Sequence, residues 1–131
     1  MTLVVARVSK RNCISFVSDT GVTHNSERLG PEHQLPKLAI LNDSTAVGFA
    51  GSTELAVRAI ENAPRGGDAS YGQVTEHFLS AHKQTNVDFI IGFGPPLSKL
   101  AAVKDGKIRQ RGTTEWIGDK NGFEAYQRFS F

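Results

Sequence analysis

The sequence PKLAILNDSTAVGFAGST, residues 36–53, contains two short apolar runs separated by a polar turn. Residues 38–41 and 45–49 are predicted to form a β-hairpin, because Asn, Asp and Ser at 42–44 are favoured turn residues. The small residues that follow end the second strand, and Ser52 or Thr53 can cap a helix after it. This stretch therefore predicts two antiparallel strands that lead directly into a helix.

The segment before this hairpin predicts a second, earlier hairpin. Residues 2–8 and 13–18 are rich in Val, Ile and Phe, and the polar run 9–12 separates them. Residues 19–36 are polar and contain several Gly and Pro residues, so we expect a long loop or an irregular excursion there. Two hairpins joined by a long connection are thus expected in the N-terminal half.

The segment after the hairpin predicts helices and then more strands. Leu55, Ala59 and Ile60 fall on one helical face, and the run 63–67 should end that helix. Ser70 and Gln73 form a capping-box signal for a second helix. Later elements are expected as strands 87–93, 97–104 and 107–110, a type I′ turn at 105–106, and a helix beginning at Gly122. This order predicts an α+β fold of antiparallel sheets with a helix layer on one sheet face.

Composition indicates an ordinary globular chain, and we expect one domain over residues 1–131. Fifteen basic and thirteen acidic residues give a formal charge of +2, which does not favour nucleic acid or a membrane as partner. The basic residues at 10–11 and 104–111 are interpreted as solvated hairpin ends. A single cysteine, Cys13, excludes a disulfide framework and is typical of a cytoplasmic protein. The four histidines lack metal-ligand spacing, so we expect no metal.

Thr2 carries the first chemical signal. Methionine aminopeptidase removes Met1 when the next residue is small, and the chain would then begin with threonine. A terminal threonine holds a hydroxyl and an amine in one residue, and the amine, with a reference pKa of about 7.7–8.0, can act as the base for the hydroxyl. Many proteins begin Met-Thr, so this feature needs support from the rest of the chain.

Three further residues supply that support by their order and spacing. Asp19 closes the second predicted strand, Lys37 opens the third, and Gly51 lies between the fourth strand and its helix. Together with Thr2 they resemble the proteasome β-subunit family of N-terminal-nucleophile (Ntn) hydrolases. The resemblance covers most of the chain and is strongest over residues 2–62. It implies the αββα sandwich of antiparallel sheets.

The resemblance implies a role for each residue. Thr2 would be the nucleophile, and a Lys37 ammonium beside it favours the deprotonated hydroxyl and amine. Asp19 would pair with Lys37 and orient it. Gly51 would donate its backbone N–H to the oxyanion, close to the positive end of a helix. No cofactor is implied.

The C-terminal part departs from the family pattern. Relatives place a serine near the nucleophile where this chain has Asp119, and they continue through more helices and strands. The fold is therefore expected to be incomplete at the C-terminus, with exposed apolar faces and strand edges. We therefore expect that a partner chain or a further segment covers these surfaces, or that the protein aggregates.

The leading hypothesis is a threonine-type peptidase, most similar to the bacterial proteasome homologues called Anbu through its Met-Thr start and the residues 16–19. The resemblance implies peptide or unfolded-protein substrates, a homo-oligomer and an ATP-dependent unfoldase as partner. One alternative is a non-catalytic proteasome-like scaffold or interaction subunit. Another is an Ntn amidohydrolase that acts on a small amide.

Overall fold

The computed structural model describes residues 3–9, 13–18, 23–24, 27–28, 37–65, 70–95, 97–110, 112–118 and 120–129. The strands of the described part are β1 (Leu3–Val8), β2 (Ile14–Ser18), β3 (Thr23–His24), β4 (Glu27–Arg28), β5 (Leu38–Asn42), β6 (Thr45–Ala50), β7 (Asp88–Phe93), β8 (Lys99–Lys104), β9 (Lys107–Arg109) and β10 (Thr114–Gly118). The helices are α1 (Thr53–Glu61), α2 (Tyr71–Thr85) and α3 (Lys120–Phe129).

All strand pairs of the described chain are antiparallel. A five-stranded sheet has the order β5-β6-β7-β8-β9, and a three-stranded sheet has the order β10-β1-β2. This architecture confirms the predicted α+β class with antiparallel sheets. The segment expected to be a long loop or an irregular excursion contains the short pair β3-β4 at residues 23–24 and 27–28. Two-residue strands are too short to show an alternating pattern.

The helices α1 and α2 begin where the capping signals predicted. The Ser52 hydroxyl accepts the Leu55 N–H, and Ser70 and Gln73 form the complete capping box. Both helices cover one face of the five-stranded sheet through a buried apolar cluster in which Phe78 packs against Phe89, with ring centroids 4.8 Å apart. Burial of these large rings contributes to the hydrophobic stabilisation of this layer.

The three-stranded sheet packs against the opposite face of the five-stranded sheet. A second buried cluster joins them, with members from both sheets: Val4, Ala6, Ala50, Ile90, Leu100, Ala102 and Ile117. The helix α3 lies on the outer side of the three-stranded sheet, where Phe123 stacks on Trp116 with ring centroids 4.9 Å apart. Trp116 is partly buried.

Two C-terminal elements differ from expectation. The strand β10 (Thr114–Gly118) was not predicted, and α3 begins at Lys120, two residues before the predicted start at Gly122. The strand pairs with β1, more than a hundred residues earlier in the chain. The sequence of β10 also lacks the alternation of apolar and polar residues that indicates a strand, because the buried position 115 is occupied by Glu and not by an apolar residue.

His82 joins the end of α2 to the turn between β8 and β9. Its Nε2 accepts the Gly106 N–H at 2.9 Å, so Nδ1 carries the proton and donates to the Val87 carbonyl at 2.8 Å. The turn itself, at Asp105 and Gly106, has positive φ at both positions, 55° and 75°, as the predicted type I′ turn requires. The buried histidine thus serves as a structural link.

Candidate functional site

Lys37 and Gly51 lie at the same end of the neighbouring strands β5 and β6 of the five-stranded sheet. Lys37 directly precedes β5 and is only 5% exposed. Its carbonyl accepts the Phe49 N–H at 3.0 Å, which places it beside the last residues of β6. Gly51 directly follows β6 and comes two residues after Phe49. The two positions therefore lie close together, although they are fourteen positions apart in the sequence.

The backbone at Gly51 requires glycine. Its φ is +131°, a region that other residues rarely adopt. A Cβ built there would also lie 3.3 Å from the Cα of Val87. Gly51 is exposed and precedes Ser52, the N-cap of α1, so its backbone lies next to the positive end of a helix. An exposed peptide at such a place suits an oxyanion.

Thr2 and Asp19 lie outside the described residues, as does Asp119. The strand ends that adjoin Thr2 and Asp19 are described: Leu3 begins β1 and Ser18 ends β2. Val4 pairs with Ser18, so these two strand ends lie side by side. On its other side, Leu3 pairs with Gly118, the last residue of β10.

Close contacts around Gly48 connect these strand ends to the ends of β5 and β6 where Lys37 and Gly51 lie. A Cβ added to Gly48 would lie 2.7 Å from Cγ1 of Val4 and 3.1 Å from Cδ2 of Leu38. The start of β1, the start of β5 and the end of β6 therefore meet at one place. The candidate site draws on both sheets: the chain leading to Thr2 comes from one, and Lys37 and Gly51 come from the other.

Sequence reasoning missed a second buried lysine. Lys104, at the end of β8, was interpreted as part of a solvated hairpin end, but it is only 6% exposed. Its Nζ donates to the Trp116 carbonyl at 2.8 Å and lies 3.7 Å from the centre of the indole ring. Burial, followed by repulsion from Arg109, lowers the pKa of Lys104. Lys104 lies on the same face of β8 as the apolar residues Leu100 and Ala102, and this two-residue spacing was the signal available in the sequence.

Other features of the described part lie away from these strand ends. A groove of about 320 Å³ separates α1 from α2 and is lined by residues that include Arg58 and His77. A recess of about 510 Å³ lies along Lys107–Gln110. Within the described ranges, no three His, Cys, Asp or Glu residues are grouped as metal ligands, and no helix is long and apolar enough to cross a membrane.

Comparison with known proteins identifies the fold. No family model and no curated protein matches the sequence. The crystal structure of eukaryotic HslV from Trypanosoma brucei matches with a TM-score of 0.68 and 20% identity, covering 98% of this chain and 78% of that one. The Gly-1 mutant of Anbu from Hyphomicrobium sp. strain MC1 matches with a TM-score of 0.71 and 17% identity, covering 98% of this chain and 64% of that one. The chain thus has a proteasome β-subunit-like, Anbu-like fold.

Proposed function

We propose that this chain is a threonine-type peptidase of the proteasome superfamily, with Thr2 as the nucleophile after removal of Met1. The observation that carries the proposal is the meeting of three chain segments around Gly48. These are the segment that leads to Thr2, the buried Lys37, and the exposed peptide at Gly51 before α1. Their order along the chain is the order that the proteasome family resemblance requires.

The proposed mechanism uses groups of the protein alone. The Thr2 hydroxyl attacks the peptide carbonyl while its own α-amine accepts the proton. The Gly51 N–H donates to the oxyanion of the tetrahedral intermediate, and the α1 dipole adds to this stabilisation. Collapse breaks the C–N bond, the Thr2 α-ammonium returns its proton to the leaving amine, and an ester remains on Thr2, which water then hydrolyses. Lys37 supplies positive charge beside the hydroxyl, and Asp19 orients the lysine.

The proposal extends to architecture and partners. We infer that the packed sheets and helices correspond to the αββα sandwich of the Ntn hydrolases. The chain spans 78% of the HslV chain and 64% of the Anbu chain that it matches. Assembly into a homo-oligomer, an ATP-dependent unfoldase as partner, peptide or unfolded-protein substrates and a cytoplasmic location belong to the same proposal.

Hydrolysis of fluorogenic peptides tests the function. We expect protein purified without an N-terminal tag to release coumarin from a panel of peptides with different residues before the scissile bond. Thr2→Ala should reduce the rate by roughly 10³-fold or more, because it removes the nucleophile. Thr2→Ser should keep measurable activity, because serine also combines a hydroxyl with the terminal amine.

Thr113→Ala is the matched control, since it removes an exposed threonine that precedes β10 at the end opposite Gly118. It should retain the wild-type rate. Equal rates in wild type and Thr2→Ala would show that any activity comes from elsewhere. Absence of activity in every preparation, with Met1 retained, would favour the non-catalytic scaffold instead.

A further inference from the structure

The two sheets of the candidate site are held together mainly by apolar contacts. The cluster between them consists of Val, Ala, Ile and Leu side chains. Hydrophobic contacts are non-directional, whereas a hydrogen bond joins one particular pair of atoms. The chain leading to Thr2 belongs to the three-stranded sheet, and Lys37 and Gly51 adjoin the five-stranded sheet. A small slide of one sheet on the other would therefore change the geometry of the site.

Lys104 provides a directional contact between the sheets. It ends β8 of the five-stranded sheet, and its Nζ reaches the Trp116 carbonyl of β10 at 2.8 Å. The same ammonium lies 3.7 Å from the centre of the Trp116 ring, within the range of a cation–π interaction. Phe123 of α3 stacks on this ring at an interplanar angle of 12°. One side chain thus connects β8, β10 and, through Trp116, α3.

The hydrogen-bond pattern of β10 shows where this contact lies. The Val8 N–H donates to the Thr113 carbonyl at 2.7 Å, and the register continues to Val5 opposite Trp116. Hydrogen-bonded and non-hydrogen-bonded pairs alternate along an antiparallel ladder. The Trp116 carbonyl therefore points away from β1, towards the outer edge of β10. Lys104 holds that outer edge, while β1 holds the inner edge.

We propose that Lys104 is a positioning residue that fixes the three-stranded sheet on the five-stranded sheet and thereby sets Thr2 against Lys37 and Gly51. This inference rests on the proposed function of Thr2. From Trp116 the ladder runs two residues to Gly118, which pairs with Leu3, the residue after Thr2. A fixed β10 thus fixes the beginning of β1. Displacement of a reacting group by about 1 Å can reduce a rate by roughly 10²-fold, so a tether of this kind has a measurable effect.

Lys104→Met tests the inference, because methionine keeps an unbranched apolar side chain and loses the ammonium. The rate of Thr2 acylation by a β-lactone, followed by intact mass, should fall about tenfold or more in the maximal rate, with the half-saturating concentration unchanged. Hydrogen exchange should become faster in residues 3–5 and 114–118, with the amides of α2 unchanged. Lys104→Arg should restore both, because a guanidinium can also donate to the carbonyl and stack on the ring. Lys107→Met, which removes an exposed lysine of β9, should match the wild type.

The outcomes separate this inference from the proposed function. Unchanged labelling and exchange in Lys104→Met would overturn the positioning role. Faster exchange throughout the chain, including α2, would also overturn it, because it would show a general loss of stability. If the wild type is not labelled at Thr2, the proposed function fails. In that case the contact would still be established if hydrogen exchange in Lys104→Met became faster only in residues 3–5 and 114–118 and returned to the wild-type rate in Lys104→Arg.

Discussion

Lys104 and Asp88 lie at adjoining strand ends, and burial is the largest cause of the pKa shift of each. Burial raises the pKa of Asp88, and Asp105 adds to the rise, while the Lys104 ammonium opposes it. Burial lowers the pKa of Lys104, and Arg109 lowers it further. The acidic groups that oppose this decrease come from three places around it: Glu115, Asp105 and Asp88. These attractions only partly offset the loss of hydration.

The lowered pKa of Lys104 predicts a pH dependence of stability. The native state releases the Lys104 proton at a lower pH than the unfolded chain, whose lysines titrate near about 10.4. Between these two values the unfolded chain holds more protons, so the free energy of unfolding contributed by this group rises with pH. Urea unfolding from about pH 7.5 to about pH 10 should show this rise in the wild type and lack it in Lys104→Met.

The control for this titration is Lys107→Met, which removes an exposed lysine and should keep the wild-type rise. Parallel curves for the wild type and Lys104→Met would contradict the assignment of the rise to Lys104. Trp116 is the single tryptophan of the chain, so its fluorescence can follow unfolding. Where the mutation alters that signal, circular dichroism provides a second measurement.

At this scale, the sequence predicted the candidate site only from the order of its residues along the chain. The structure places Lys37 and Gly51 at the same end of the neighbouring strands β5 and β6. The catalytic roles of Thr2, Asp19, Lys37 and Gly51 stay predictions. Lys104 was misinterpreted because its burial depends on a strand, β10, that was not recognised. A lysine at the end of an apolar strand is normally interpreted as exposed to solvent, and only knowledge of the second sheet shows that it is covered.

Close approach of the sheets determines the choice of residues in the strands. At Gly48, an added Cβ would lie 2.7 Å from Cγ1 of Val4 and 3.0 Å from Cγ2 of Ile90. At Gly92, an added Cβ would lie 2.9 Å from Cγ2 of Ile14. Both glycines have an ordinary strand backbone, so a lack of space between the sheets, and not the backbone conformation, excludes a side chain.

Gly48→Ala should therefore be strongly unfavourable. The added methyl group must displace Val4, a stiff β-branched residue at the start of β1, and overpacking of this kind costs about 1–3 kcal/mol. Because Val4 lies two residues from Thr2, we also expect slower acylation of Thr2. Urea unfolding and the rate of β-lactone labelling measure the two effects.

Gly72→Ala in α2 is the matched control. A Cβ at Gly72 would meet nothing closer than the Ser70 hydroxyl oxygen at 3.9 Å. Alanine favours the helix, so stability should rise by up to about 1 kcal/mol, with labelling unchanged. A loss of stability at Gly72 equal to that at Gly48 would show that the packing argument is wrong.

Elements defined by local signals were predicted well. The capping serines of α1 and α2 and the turn at 105–106 act within a few residues, and all three are where the sequence placed them. The strand β10 depends on β1 at the other end of the chain and on the Lys104 contact at its outer edge. Its short sequence alone carried neither piece of information.

The two sheets that pack on each other in the described chain differ in width, with three strands packed on five. The helix α3 contacts β1 and stacks on β10, and Val5 beneath it is 1% exposed. Its strand partner Val17 in β2 shares that face and is 51% exposed. Ile40 on the edge strand β5 is 73% exposed. Apolar side chains that are exposed singly are normal on a protein surface, so these two residues do not by themselves mark an interface.

Intact mass of the untagged protein, before and after reaction with a β-lactone or an epoxyketone, tests the central claim most directly. The account predicts a chain that lacks Met1 and gains one covalent adduct, which is absent in Thr2→Ala. Peptide mapping should place that adduct on Thr2. Retention of Met1, or its loss without an adduct, would contradict the account and indicate a proteasome-like fold without an Ntn site.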